Sequence, residues 1–218
     1  DTFNKGHFFI QDLSSTIVAD IVTQEQPLSV CDLCAAPGGK TCGIALSISE
    51  AQGTVFAHDL TEKRVGLIRD IIARLGLMNV VANVRDAHGW EDPPQKLFDA
   101  VLLDAPCSGF GTLGKKVDAR WSKSEETIHE LTEIQGRLIS TASRLVKPGG
   151  TLVYSTCTIE RAENEEIVER FLAQHDNFTL VPLSGLLPAE ICTPEGYYRS
   201  WPHLHAMTGA FAAKLRRK

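Results

Sequence analysis

Residues Leu28–Thr41 read LSVCDLCAAPGGKT. The segment Leu28 to Leu33 has the composition of a buried strand, and Ala35-Ala36-Pro37-Gly38-Gly39 turns the chain into a helix predicted from about Lys40 to Glu50. A strand that breaks into a glycine turn and resumes as a helix is the ligand crevice of an open α/β sheet. Two phosphate-binding readings of the turn fail. A Walker loop needs Gly, four intervening residues, then Gly-Lys-Ser/Thr, and the leading position is Cys34. A dinucleotide fingerprint needs G-x-G-x-x-G, whereas Gly38 and Gly39 are adjacent and follow Pro37.

Outward from this turn the same pattern repeats. Strands are predicted at Thr54–His58, Val80–Val84, Ala100–Leu103 and Thr151–Ser155, with helices over Glu62–Leu75, from Ser122 or Ser124 to Leu145, and over Ala162–Ala173. Phe178–Val181 and Ala210–Leu215 read as late strands, with an antiparallel hairpin at one sheet edge as one arrangement. The expected fold is therefore α/β and Rossmann-like, a seven-stranded mostly parallel sheet with helices on both faces. Residues 28–218 form that domain. Residues 1–27, read as an FFIQD strand and a helix through Ile17 and Ile21, form an N-terminal extension packed on it as a lid or appendage. The stretch from Asp104 to Ser122 is too long and too rich in glycine for a simple connection, and such loops are usually functional.

A third ligand suits the turn: S-adenosylmethionine, which carries no phosphate and needs small residues near its methionine moiety. Acids follow three successive strands. Asp59 is placed to accept from ribose hydroxyls, Asp86 from an adenine amino group, and Asp104 ends the fourth strand. Each could instead be an ordinary helix N-cap. Two cysteines, Cys107 and Cys157, lie just past the fourth and fifth strands, at the ligand edge. Cys31, Cys34, Cys42 and Cys192 read better as small apolar residues. Cys31-x-x-Cys34 does not read as a metal site, because Cys31 is inside a strand, no second such pair exists and His203-x-His205 is far along the chain.

The composition is that of a globular chain: 218 residues, 43% hydrophobic, with no apolar run long enough to span a membrane. Lys and Arg number 22 against 27 Asp and Glu, a formal charge of −5 that does not describe a strongly basic nucleic-acid binder. Six irregularly spaced cysteines are not a disulfide framework, so reduced thiols and a cytoplasmic enzyme are expected. The opening at Asp1, without Met or leader, is that expected of a fragment or trimmed chain.

CAAPGGKT, DAPCSG, Arg120-Trp121, KPGGTLVYSTC and GAFAAKL together resemble the RNA cytosine-C5 methyltransferases of the NOL/NOP/Sun family, especially the bacterial Sun/Fmu (RsmB-like) 16S ribosomal RNA type. The resemblance runs from Phe9-Ile10-Gln11-Asp12 to the end. Its two-cysteine signature is specific, since DNA cytosine methyltransferases carry one Pro-Cys motif after strand four. It departs at Met207–Phe211, where the family more often shows Asp-Gly-Phe-Phe, and the separate N-terminal RNA-binding domain that many members carry is expected to be missing from this stretch of chain.

The resemblance implies Cys157 as the nucleophile, Cys107 as the residue that assists release, Asp104 against the cytosine N3 edge, and Lys40 in the same pocket. It implies S-adenosylmethionine bound by Cys34, Ala35, Ala36, Pro37, Gly38, Gly39, Lys40, Asp59, Arg64, Asp86 and Asp104. It implies an RNA partner, ribosomal or transfer RNA, with no metal and no membrane. Phosphate contacts are expected from Lys115, Lys116, Arg120 and Lys123, and more weakly from Arg199, Arg216, Arg217 and Lys218. Trp121 reads either as a base-stacking residue or as a core residue at a helix start. The competing function is a non-catalytic RNA- or ribosome-binding module that kept the fold.

Overall fold

The computed structural model describes residues 1–90, 94–121 and 124–218. Five parallel strands form one half of a single sheet: β1 (Ser29–Asp32), β2 (Thr54–Asp59), β3 (Val80–Val84), β4 (Phe98–Asp104) and β5 (Val146–Thr156). Antiparallel β6 (Phe178–Val181), β7 (Tyr198–Ser200) and β8 (Ala210–Arg217) complete it. The order is β3-β2-β1-β4-β5-β8-β6, with β7 pairing the free part of β8. The chain runs outward from β1 to β3, then returns to β4 on the other flank of β1. The carboxyl ends of β1 and β4 therefore flank the point where strand order reverses, the place such sheets bind ligands.

Strand parity explains the two cores. Ala100 and Leu102 of β4 face α1 (Leu13–Thr23) and α2 (Gly39–Ser47), packing with Val18, Ile21, Val22, Ile44 and Ala45. Val101 and Leu103 point the other way, onto Leu138, Ile139 and Ala142 of α4 (Glu125–Arg144) and Ile167 and Phe171 of α5 (Glu165–Gln174). The continuous apolar run of β4 is thus buried on both faces, as parallel central strands require. On the first side α3 (Glu62–Leu75) seats Ile68 against Ala35 and Ala57. It starts at a Thr61 N-cap and stops at Gly76 in the left-handed region, matching the predicted bounds.

Several expectations change. Phe8–Asp12 form no strand. Arg74 donates to the carbonyls of Phe3 and Phe8, and Asp12 caps α1 by accepting from the Ser14 amide, so side chains rather than strand pairing hold this segment. α1 is not a lid: Val18, Ala19, Ile21 and Val22 are buried in the same layer as α2. β5 begins at Val146 instead of Thr151, because the Lys147–Gly150 turn forms an irregularity between the Phe98–Val146 and Ala100–Thr151 pairs. The eighth strand, β7, is only three residues long, too short to show a period in sequence. No helix among the described residues is long and apolar enough to cross a membrane.

Leu102→Ala, in the middle of the sheet, is expected to cost about 2–5 kcal/mol in denaturant unfolding. Met78→Ala, at a side chain 95% exposed, should stay within about 0.5 kcal/mol. Equal effects would contradict this placement of the core.

Candidate active site

At the end of β1 the chain enters the turn Cys34–Gly39. Gly38 has φ +106°, a conformation that side chains rarely adopt, and a Cβ there would press on Ile68 and Ile71 of α3. Gly38 also caps α2 without a side chain, leaving backbone amides to face a ligand. Asp59 locks this turn to β2. Its Oδ2 accepts from the Ala36 amide at 2.9 Å, and its Oδ1 from the Leu60 amide at 2.8 Å and Arg64 Nε at 2.5 Å. Arg64 is half exposed and thus acts here through Asp59 and the Ala36 carbonyl. Asp86 is exposed and accepts from the His88 amide as the cap of a short 3₁₀ turn, so the N-cap reading holds for that residue in this state.

Asp32, which the sequence reading did not single out, is buried beneath the turn. Its Oδ2 accepts from Thr41 Oγ1 at 2.7 Å, while Oδ1 is buried without a partner among the described residues. Burial pushes its carboxyl up to about 7. Its spacing from Thr41 across the glycine turn was the one available signal, since an acid inside a β-strand facing a helical Thr favours a hydrogen bond.

Lys40, at the start of α2, reaches across the switch point. Its Nζ lies 2.7 Å from Asp104 Oδ2, and Asp104 Oδ1 accepts from Ser155 Oγ at 2.7 Å. Burial works against the ammonium, but the Asp104 carboxylate outweighs it and holds Lys40 above its ordinary value. One residue set thus ties the ends of β4 and β5 to α2.

The two cysteine loops meet beside this pair, with Cys107 Sγ and Cys157 Sγ 3.3 Å apart as free thiols. The thiol–thiol hydrogen bond holds Cys157 below its ordinary value, against burial and Asp104, with Lys40 and Lys116 reinforcing it. The same bond and burial push Cys107 well up. The other four cysteines are all raised, chiefly by burial. Of the six thiols, only Cys157 is shifted downward, toward its thiolate form. Gly111 joins the loops through backbone: its amide donates to the Cys157 carbonyl at 3.0 Å and its carbonyl accepts from the Gly209 amide at 2.9 Å. A Cβ on Gly111 would stand 2.0 Å from the Gly209 oxygen. In the divergent Met207–Phe211 stretch, Thr208 donates its amide and hydroxyl to Asp12, and Lys115 pairs with the same carboxylate. These contacts join the N-terminal segment, the long loop and the approach to β8.

Of the expected phosphate contacts, Lys116 and Arg120 are exposed on that loop, Lys115 is exposed but engaged with Asp12, and Lys123 lies outside the described residues. Trp121 is 82% exposed, which removes the core reading. The second basic group is not assembled. Arg199 is buried with its guanidinium 3.4 Å from Glu165 and bonded to the Ile159 carbonyl. Arg216 and Arg217 hold Glu25 and the Gly149 and Val146 carbonyls at the opposite end of the sheet, and Lys218 donates to the Asp176 carbonyl. Chain-end and strand-end cations found local carboxylates and carbonyls, which sequence proximity cannot reveal. Among the described residues no group of His, Cys, Asp and Glu could hold a metal ion.

The sequence profile of the 16S rRNA methyltransferase RsmB/F family matches residues 19–216. This chain belongs to that family. It is 38% identical over 220 residues to the Bacillus subtilis "Probable ribosomal RNA small subunit methyltransferase B", covering 99% of this chain and 49% of the relative. It is 38% identical to the Aeromonas salmonicida ribosomal RNA small subunit methyltransferase F, covering 97% of this chain and 46% of that protein. The chain spans about half the length of these curated relatives. Among solved structures, NSun6 from Pyrococcus horikoshii with SFG superposes with TM-score 0.87 at 32% identity, covering all of this chain and 55% of that one. The O-methyltransferase from Bacillus cereus in complex with SAH, at 12% identity and TM-score 0.61 over 99% of this chain and 85% of that one, shares the fold alone. The Rossmann-like α/β architecture expected from the sequence is the one observed, with eight strands where seven were expected, and it is that of the class I methyltransferases.

Lys40→Met removes the cation that favours the Cys157 thiolate. The alkylation rate of Cys157, followed by peptide mass spectrometry across pH, is expected to shift its midpoint upward. An unchanged or lower midpoint would show that Lys40 does not act on the thiol.

Proposed function

We propose that this chain transfers a methyl group from S-adenosylmethionine to C5 of a cytosine in RNA, with 16S rRNA the substrate class its family favours. The observation that carries this reading is the 3.3 Å approach of Cys107 and Cys157, only the latter of them favoured as thiolate, beside the Lys40–Asp104 pair. A non-catalytic module would have no use for two free thiols of opposite protonation preference at the ligand edge.

The cofactor fits the residues present. The small Cys34–Gly39 turn gives the methionine moiety backbone contact. The unpartnered Asp32 Oδ1 under the turn offers a buried acceptor, and Asp59 Oδ2, with only the Ala36 amide on it, keeps a lone pair for a ribose hydroxyl. Asp86 would accept from the adenine amino group. S-adenosylmethionine, when bound, supplies an electrophilic methyl on a sulfonium.

Cytosine C5 needs activation before it can take that methyl. The Cys157 thiolate adds to C6, forming an S–C6 bond and driving the ring electrons toward C5. Asp104, fixed by Ser155 and Lys40, holds the N3 edge and stabilises the protonated ring as charge builds there. C5 then bonds to the methyl carbon as that carbon's bond to the sulfonium sulfur breaks, leaving S-adenosylhomocysteine. The C5 proton passes to solvent water, its bonding pair restores the C5–C6 double bond, and the S–C6 bond breaks with its electrons on sulfur, restoring the Cys157 thiolate with help from Cys107. The base must leave any stack to reach Cys157. Trp121, exposed on the loop after Cys107, would stack a base, and Lys116 and Arg120 would meet phosphate.

Cys157→Ala is expected to abolish methyl incorporation into unmodified 16S rRNA transcript. Cys107→Ala should instead accumulate an RNA–protein adduct that survives denaturing electrophoresis. Wild-type turnover in Cys157→Ala would overturn the nucleophile assignment.

A further inference from the structure

One residue beyond each cysteine, the structure has built something the mechanism above does not use. Ser108 and Thr158 are both buried, and their hydroxyls hydrogen-bond at 2.8 Å. Ser108 also gives its amide to Glu163 Oε1 at 2.8 Å and its hydroxyl to Oε2 at 2.5 Å. Gln135 of α4 donates to Oε1 at 3.0 Å and to the Pro106 carbonyl at 2.9 Å. Tyr154 of β5 donates to the Glu163 carbonyl at 2.6 Å. The next residue, Asn164, accepts from Thr156 at 2.5 Å and donates to the Thr158 carbonyl at 3.1 Å.

Glu163, Asn164 and Gln135 have no solvent exposure at all. A buried carboxyl group is costly unless donors fill its acceptor sites, and an apolar side chain of the same size would pack at less cost. What the carboxyl group contributes beyond packing is geometry, because both its oxygens fix the residue that follows Cys107. Its hold on the two loops is unequal. It grips the Cys107 loop directly through two bonds to Ser108, and it reaches the Cys157 loop only through the Thr158 hydroxyl. Loss of the carboxyl group therefore loosens Cys107 first.

We propose that Glu163 is a positioning residue that sets Cys107 against Cys157, so that the adduct is resolved after methyl transfer. The proposal rests on the two-cysteine reading above. The step affected is the last one: the C5 proton passes to solvent water, the C5–H electron pair re-forms the ring double bond and sulfur departs from C6 with its electron pair to regenerate the Cys157 thiolate. A displacement of order 1 Å at a reacting group can cost about 100-fold.

The test compares Glu163→Ala, Glu163→Gln and Cys107→Ala in the whole chain, with RNA transcript and S-adenosylmethionine. Turnover and denaturant-stable RNA adduct are both followed. Glu163→Ala is expected to lose about 100-fold in kcat, with KM for RNA little changed, and to accumulate adduct as Cys107→Ala does. Glu163→Gln keeps an acceptor for the Ser108 amide and a donor for its hydroxyl, so it should restore turnover without adduct. If circular dichroism shows Glu163→Ala unfolded, Ser108→Ala carries the test, and adduct is again expected. Slow turnover without adduct in the folded variant, while Cys107→Ala traps RNA, would leave Glu163 a merely structural residue and overturn the inference. Absence of adduct in Cys107→Ala would bring down the two-cysteine reading, and the inference with it.

Discussion

The ion pair between Lys40 and Asp104 joins what the topology separates. Lys40 belongs to the helix after β1 and Asp104 to the end of β4, and they meet because strand order reverses between those two strands. Asp104 spends its second oxygen on Ser155 of the neighbouring strand. A partly buried pair of this kind contributes little to stability by itself, since desolvation offsets most of the attraction. Its value is positional. It brings a cation within range of the Cys157 sulfur while presenting a fixed carboxylate beside it, and the two loops carrying the thiols start from the strand ends it ties together.

The overall charge of −5 misdirects unless the charges are placed. Asp32, Asp59 and Asp104 are turned inward around the ligand crevice, where each is bonded to a hydroxyl, an amide or a cation. Lys116, Arg120 and Trp121 stand outward on the loop after Cys107. An acidic chain can thus present a basic, aromatic surface next to the crevice. Under the proposed function, that surface would meet the RNA backbone while the target base enters the crevice.

The fold was largely legible because each parallel strand carries its own turn chemistry. Thr61 and Gly76 bound α3 at the residues expected, and Ser124 caps α4. The segment 8–12 misled because aromatic and β-branched residues raise strand propensity even where no edge is free to pair. The fifth strand, expected from Thr151, begins earlier because Lys147-Pro148-Gly149-Gly150 forms the irregular start of β5 after α4 ends. At the site, Cys107, Cys157, Asp104 and Lys40 could be named from motifs, and the structure brings all four together. The supporting acids could not. Glu163 stands in a run of charged residues that reads as solvated helix, and its burial depends on Gln135 and Ser108, far away in sequence. Arg199, Arg216 and Arg217 failed for the converse reason, their partners being distant carboxylates and carbonyls.

The most direct measurement is the identity of the sulfur that bonds the base. RNA transcript carrying 5-fluorocytidine cannot lose a proton from C5 after methyl transfer, so the covalent species persists in the unmodified protein. Digestion and tandem mass spectrometry should find the methylated fluorocytidine on the peptide containing Cys157. Attachment at Cys107, or no attached nucleotide while methyl transfer to ordinary cytidine proceeds, would contradict the assignment of the two thiols.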